Sequence, residues 1–126
     1  MVFSIHSFTP AWKGVARPWH AAILWDADPR LNLFMIDELR KHDNLQVGDN
    51  EPYDGALKND TMYRHCTKLG LAQSLLEVRQ DLIADEKGVA KWVDILAPIL
   101  LAANERAEMH IIKHYGSRTQ GAVSKG

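Results

Sequence analysis

Leu75-Leu76-Glu77-Val78-Arg79-Gln80-Asp81, followed within a few residues by Asp85 and a long run of helical periodicity, sets the fold class. Leu75 to Val78 is short, apolar and β-prone, which predicts a strand. Asp85 is placed to cap a helix in which Val89, Trp92, Val93, Leu96, Ile99 and Leu100 recur at helical spacing, the stripe of a helix packed on a sheet. Pro98 falls inside that stripe and should kink the helix or remove one backbone hydrogen bond.

Upstream the same alternation repeats. Val2 to Ser7 reads as a strand, with Val2, Ser4 and His6 on one face and Phe3, Ile5 and Ser7 on the other. Phe8 to Pro18 reads as a loop, and Ala21 to Trp25 as a short buried strand. Pro29 opens a helix that carries Leu33, Met35, Ile36 and Leu39 on its apolar side to about His42. Leu45 to Gly48 is a third short strand, and Asp49 to Gly55 is a loop. Asn59 or Asp60 caps a further helix that ends at Leu69 before Gly70, with Met62, His65, Cys66 and Leu69 on one side. Strands alternating with helices predict an α/β fold, a mostly parallel sheet of about four strands flanked by helices. Residues 1–115 form one domain in this reading, and the polar segment 116–126 is a disordered tail.

Composition narrows the function classes. The chain has 126 residues, a net charge of -1 and 46% apolar residues, the balance of a single globular domain. No basic stripe points to nucleic acid. No apolar run approaches the roughly 20 residues of a membrane span, and no signal peptide pattern opens the chain. A lone Cys66 permits no internal disulfide and fits a cytoplasmic setting.

In an open α/β sheet, reactive groups gather at the carboxyl ends of strands. His6 ends the first strand, Asn50, Glu51 and Tyr53 follow the third, and Glu77 and Arg79 share a face of the fourth. A histidine that holds a metal and a glutamate that takes a proton from water make a hydrolytic pair. Arg79 could lower the Glu77 pKa or bind a substrate carboxylate, and Arg17 could do the second from its loop. Plainer readings stand beside these. A histidine at a strand end is commonly a hydrogen-bonded polar residue, Glu77 and Arg79 could be a sheet-edge ion pair, and Asn50 to Gly55 could be only a turn. His65 fits a boundary position, and His110 and His114, though spaced i, i+4, read as solvated helix residues.

The segments Ile5-His6-Ser7-Phe8-Thr9-Pro10, Trp12-Lys13-Gly14, Arg17-Pro18-Trp19-His20, Asp49-Asn50-Glu51-Pro52-Tyr53, Asp60-Thr61-Met62-Tyr63-Arg64-His65 and Leu76-Glu77-Val78-Arg79-Gln80-Asp81-Leu82 occur in this order. Together they resemble the C-terminal half of the N-formylglutamate amidohydrolase family, over roughly residues 2–104. The resemblance implies part of a zinc-carboxypeptidase-like fold, a zinc cofactor, and hydrolysis of the amide of a small N-acyl amino acid by metal-activated water. It matches His6 to a zinc ligand and Glu77 to the general base. It matches Asn50, Glu51, Tyr53, His65 and Arg79 to pocket positions. Family members are longer, and the other zinc ligands belong to an N-terminal half with no counterpart here, so the resemblance implies a truncated chain with little or no activity alone. A site completed in trans or by self-association is the second expectation, and a non-enzymatic small-molecule binding or interaction module is the third. Truncation would expose apolar surface near Phe3, Ile5 and the run Ala21 to Trp25.

Overall fold

The computed structural model describes residues 1–119. Six strands and two helices follow one another as β1 (Val2–Phe8), β2 (Ala11–Trp12), β3 (Val15–Ala16), β4 (Ala21–Leu24), α1 (Pro29–Arg40), β5 (Val47–Asp49), β6 (Gln73–Arg79) and α2 (Glu86–Asn104). The main sheet runs β1-β6-β4-β5, and β2 and β3 form a separate small hairpin in the segment expected to be a loop. The α/β architecture, with a mostly parallel mixed sheet and flanking helices, is thus the one expected.

One pairing reverses direction. β1 and β6 are parallel, and so are β4 and β5, but β4 is antiparallel to β6. The carboxyl ends of β1 and β6 therefore lie at one end of the sheet and those of β4 and β5 at the other. A single reactive carboxyl edge shared by His6, Glu77 and Asn50 does not exist. His6 and Glu77 are register partners on adjacent strands, while Asn50 follows β5 at the opposite end.

Strand alternation assigns the two faces. Leu76 and Val78 of β6 point to the helical side and are buried, in one core with Leu31, Met35, Ile36 and Leu39 of α1 and Trp92, Leu96 and Ile99 of α2. Leu75 and Glu77 point the other way, beside Ser4 and His6 of β1. The α2 stripe is narrower than its periodicity suggests: Val89 and Val93 are exposed, because α2 meets the core through Trp92, Leu96, Ile99 and Ala103. Ala21, Ala22, Ile23 and Leu24 are all buried, because β4 has strands on both sides. The expected apolar scar is therefore absent at Ala21–Leu24. Ile5 is 60% exposed on a β1 that pairs on one side only among the described residues.

Caps follow the sequence. Asp28 caps α1 by accepting from the Arg30 amide, and Asp85 caps α2 by accepting from the Gly88 amide at 2.8 Å. An exposed cap of this kind contributes about 1 kcal/mol. Asp85→Ala should lower the unfolding free energy by about that amount, read as a shift in urea midpoint at unchanged slope.

The helix expected from Asp60 to Leu69 forms as a wider turn. Asp60 caps it by accepting from the Tyr63 amide, and Tyr63–Thr67 is π-helical, with Lys68 N–H reaching the Tyr63 carbonyl. The widened ring changes the phase of the side chains, so Cys66 is buried while His65 and Leu69 are exposed. Gly70 ends the turn at φ +71, a backbone region that glycine enters without strain.

The chain beyond α2 is not a continuing helix. A 3-10 turn spans Ala107–His110, and the backbone then runs extended, so His110 and His114 do not share a helical face. His110 Nε2 is bonded to the Asn104 carbonyl at 2.7 Å. Of the tail expected to be disordered, residues 116–119 are described and residues 120–126 lie outside the described residues. Arg118 bonds Asp54 and the carbonyls of Trp25 and Asp26, and Ser117 donates to Asp26. Among the described residues no helix is long and apolar enough to cross a membrane.

Candidate active site

The side of the sheet away from α1 and α2 carries a cavity of about 520 Å³. β1 and β6 supply Ser4, His6, Leu75 and Glu77 to its wall, the end of β4 and the N-terminal turn of α1 supply Leu24 to Asp28 and Asn32, and the segment after β5 supplies Tyr53 to Gly55 and Asp60 to Tyr63.

Glu77 is changed by this setting. It sits mid-strand, flanked by β1 and β4, and its Oε2 is buried with no hydrogen-bond partner among the described residues. Burial pushes its carboxyl above the ordinary carboxylate range, and the nearby His6 and Arg17 charges pull it partly back. A carboxyl with a raised pKa in a half-closed cavity has the character of a proton acceptor for water. His6, across the β1–β6 register, is exposed, and its Nε2 lies 2.9 Å from the Ser4 hydroxyl.

Arg17 is buried in the loop wall. It donates to Tyr53 Oη at 2.8 Å and to Thr9 Oγ1 at 3.4 Å, and its guanidinium lies within 6 Å of the Phe8, Trp12 and Tyr53 rings. Aromatic rings on several sides hold the guanidinium plane in place. Tyr53 lines the cavity and so connects Arg17 to its rim.

The remaining expected pocket residues stand elsewhere. Asn50 adopts φ 54 and uses its side chain structurally, with Oδ1 accepting from the Trp25 and Gly55 amides and closing the loop between them. Arg79 pairs with Asp81 and reaches the Arg17 and Trp19 carbonyls. It therefore braces the loop that carries Arg17, and the expected Glu77–Arg79 pairing is replaced by this one. Glu51 and His65 are exposed, and none of Asn50, Glu51, His65 and Arg79 lines the cavity.

Several lining residues were not singled out in the sequence: Ser4, Asp26, Asp28, Asn32, Asp54 and Ser74. One had a legible signal. Asn32 stands at helical spacing with Met35, Ile36 and Leu39 and is 1% exposed, while Leu33, expected on that face, is exposed and Leu31 takes its place; a polar residue on the buried face of a helix must have a partner or a ligand.

The donors for a metal are incomplete. A catalytic zinc normally takes three protein ligands. Among the described residues no three His, Cys, Asp or Glu side chains come together, and His6 is the one imidazole lining the cavity. These residues do not fit a zinc ion by themselves.

The crystal structure of gene product Atu2144 from Agrobacterium tumefaciens superposes with a TM-score of 0.70 at 32% identity, over 80% of this chain and 41% of that one. This chain thus spans less than half the length of that protein. No protein of curated function matches. The family model described as N-formylglutamate amidohydrolase matches residues 1–84, which include β1, the Arg17 loop, the cavity rim and all of β6 with Glu77. On that match the chain belongs to the N-formylglutamate amidohydrolase family.

Proposed function

We propose that this chain carries the base-bearing side of an amidohydrolase site for a small N-acyl amino acid. The observation that supports it is Glu77, a carboxyl with one buried, unpartnered oxygen and a raised pKa, beside His6 in a cavity large enough for such a substrate. In this reading Glu77 takes a proton from water as the water oxygen adds to the acyl carbon. The proton then passes to the amide nitrogen as the C–N bond breaks, leaving a carboxylic acid and a free amine. Arg17, fixed by its ring neighbours, acts on the substrate through Tyr53, whose hydroxyl it holds and which lines the cavity.

His6 is the imidazole these residues would contribute to a zinc site. The other donors must come from polypeptide outside them, and the half-paired β1, with Ile5 exposed, is where a further strand or a second copy could join.

The test is complementation. The part of the Agrobacterium protein that this chain does not match is mixed with it, or fused ahead of it, and hydrolysis of N-formyl amino acids is followed with added zinc. Turnover should be absent or slow with either part alone and appear with both. Robust turnover with tightly held zinc in this chain alone would refute the incomplete-site reading. Ligand binding with no turnover in the complemented assembly would favour the non-enzymatic binding module.

A further inference from the structure

The cavity wall is acidic on its own. Asp26, Asp28, Asp54, Asp60 and Glu77 line it, and no lysine or arginine does. A carboxylate-bearing substrate would meet like charges there, in a half-closed space where screening is weak. Two arginines behind the wall reduce that charge. Arg30 pairs with Asp28 from the first turn of α1. Arg118 pairs with Asp54 and Asp26 from the other end of the chain, beyond residues 1–84 that the family model matches.

The segment after α2 is held so as to deliver Arg118. Arg30 anchors its middle through the Glu108, Ile111 and Lys113 carbonyls and the Tyr115 ring. The Lys113 amide donates to the Gly70 carbonyl at 2.9 Å, and the backbone turns at Gly116, where φ is +74. The Ser117 hydroxyl then donates to Asp26 Oδ2, and the Arg118 amide donates to Asp26 Oδ1 at 2.8 Å. The Arg118 guanidinium grips Asp54 with two nitrogens, Nη2 to Oδ1 at 2.5 Å and Nη1 to Oδ2 at 3.0 Å. It also donates to the Trp25 and Asp26 carbonyls, at 2.9 Å each. Asp54 responds to this contact: the Arg118 hydrogen bond holds its carboxyl below the ordinary carboxylate range. One side chain thus spans two separate parts of the wall, the end of β4 and the segment after β5.

We infer that Arg118 is a specificity-determining residue: the C-terminal segment brings it behind the cavity to neutralise Asp26 and Asp54, so that the cavity admits a substrate carboxylate. Arg118 does not line the cavity, and it acts through the two carboxylates that do. Its side chain is 47% exposed, and ion pairs of that exposure contribute little to stability. Their effect falls instead on the charge that a ligand meets. The choice of an anionic N-acyl amino acid as ligand rests on the amidohydrolase reading. The neutralisation stands on the ion pairs and is read by binding, without turnover.

The test is calorimetric binding of N-formylglutamate and of its uncharged diamide to the full chain, to Arg118→Ala, to Arg118→Lys, and to Arg118→Ala combined with Asp26→Asn and Asp54→Asn. Arg118→Ala should weaken N-formylglutamate about five-fold or more at low salt and leave the diamide unchanged. The loss should shrink as added salt screens it. Arg118→Lys should keep part of the binding, because it keeps the charge without the planar fork. The triple variant should bind N-formylglutamate as the unaltered chain does, since the carboxylates that Arg118 cancels are gone. Equal weakening of acid and diamide, a loss that the triple variant does not restore, or no binding of N-formylglutamate to the unaltered chain would each overturn the inference. The expected ranking with no turnover after complementation would leave the role of Arg118 standing and remove the hydrolase reading.

Discussion

Arg30→Ala should cost about 3–5 kcal/mol of unfolding free energy, a large share of the stability of a domain this size. The Arg30 side chain is 6% exposed and makes a two-pronged contact with Asp28, Nη2 to Oδ2 at 2.8 Å and Nε to Oδ1 at 3.1 Å. Its other hydrogens go to backbone carbonyls: Glu108 at 3.1 Å, Gly70 at 3.1 Å, Lys113 at 3.4 Å, and Ile111. The Tyr115 ring stacks 5.2 Å from the guanidinium. One side chain thus joins the start of α1, the turn at Gly70 and the extended chain beyond α2. The Asp28 hydrogen bonds hold the Arg30 pKa above its already high value, so the guanidinium keeps its charge. Removing the arginine leaves the Asp28 carboxylate buried without its counter-charge and strands several carbonyls. Lysine should rescue little, because a single ammonium cannot reproduce a planar fork that serves five acceptors. Equilibrium urea unfolding measures the loss. A change below 1 kcal/mol would show that water replaces the guanidinium without penalty.

The strands and helices were legible because their signals are local. Alternation in Val2–Ser7, the apolar run at Ala21, the cap at Asp85 and the helical stripe after it each act within a few residues, and each produces the element expected. The reversed β4–β6 pairing was not legible, since short buried strands look alike whichever way they run. That single reversal moves Asn50 away from His6 and Glu77. The π-helical turn was missed for a related reason: its register depends on Cys66 reaching the core, a tertiary demand that spacing does not record. At the site, His6 and Glu77 were readable as strand positions facing one way. The acidic wall was not, because α1, β4, β6 and the segment after β5 bring its residues together from distant parts of the chain.

Glu77→Gln should lower hydrolysis by the complemented assembly about 10²–10⁴-fold, the usual contribution of a positioned general base. Glutamine keeps the size of the side chain and its contacts with β1 and β4 but cannot accept the proton of water. The effect should fall on kcat, with KM nearly unchanged, because the loss is in the transition state rather than in substrate binding. The pH dependence follows from burial. Since the Glu77 carboxyl is held above the ordinary carboxylate range, kcat/KM should begin to fall, as pH is lowered, at a higher pH than for an exposed glutamate. The same shift has a consequence for this chain alone. A pKa raised in the folded state means that the folded chain binds the proton more tightly than the unfolded one. The protonated group's stabilising contribution is complete below the unfolded pKa, near 4.3, and is lost as pH rises through the folded value. At neutral pH the buried carboxylate is therefore a liability. Glu77→Gln should raise Tm at pH 7, and the gain should vanish near pH 4. Stability and turnover should move in opposite directions, as they do where a charge is kept buried for chemistry rather than for folding. A variant that loses activity and also melts lower at pH 7 would identify Glu77 as a structural group whose partner lies outside the cavity, and the assignment of the base would have to pass to another residue.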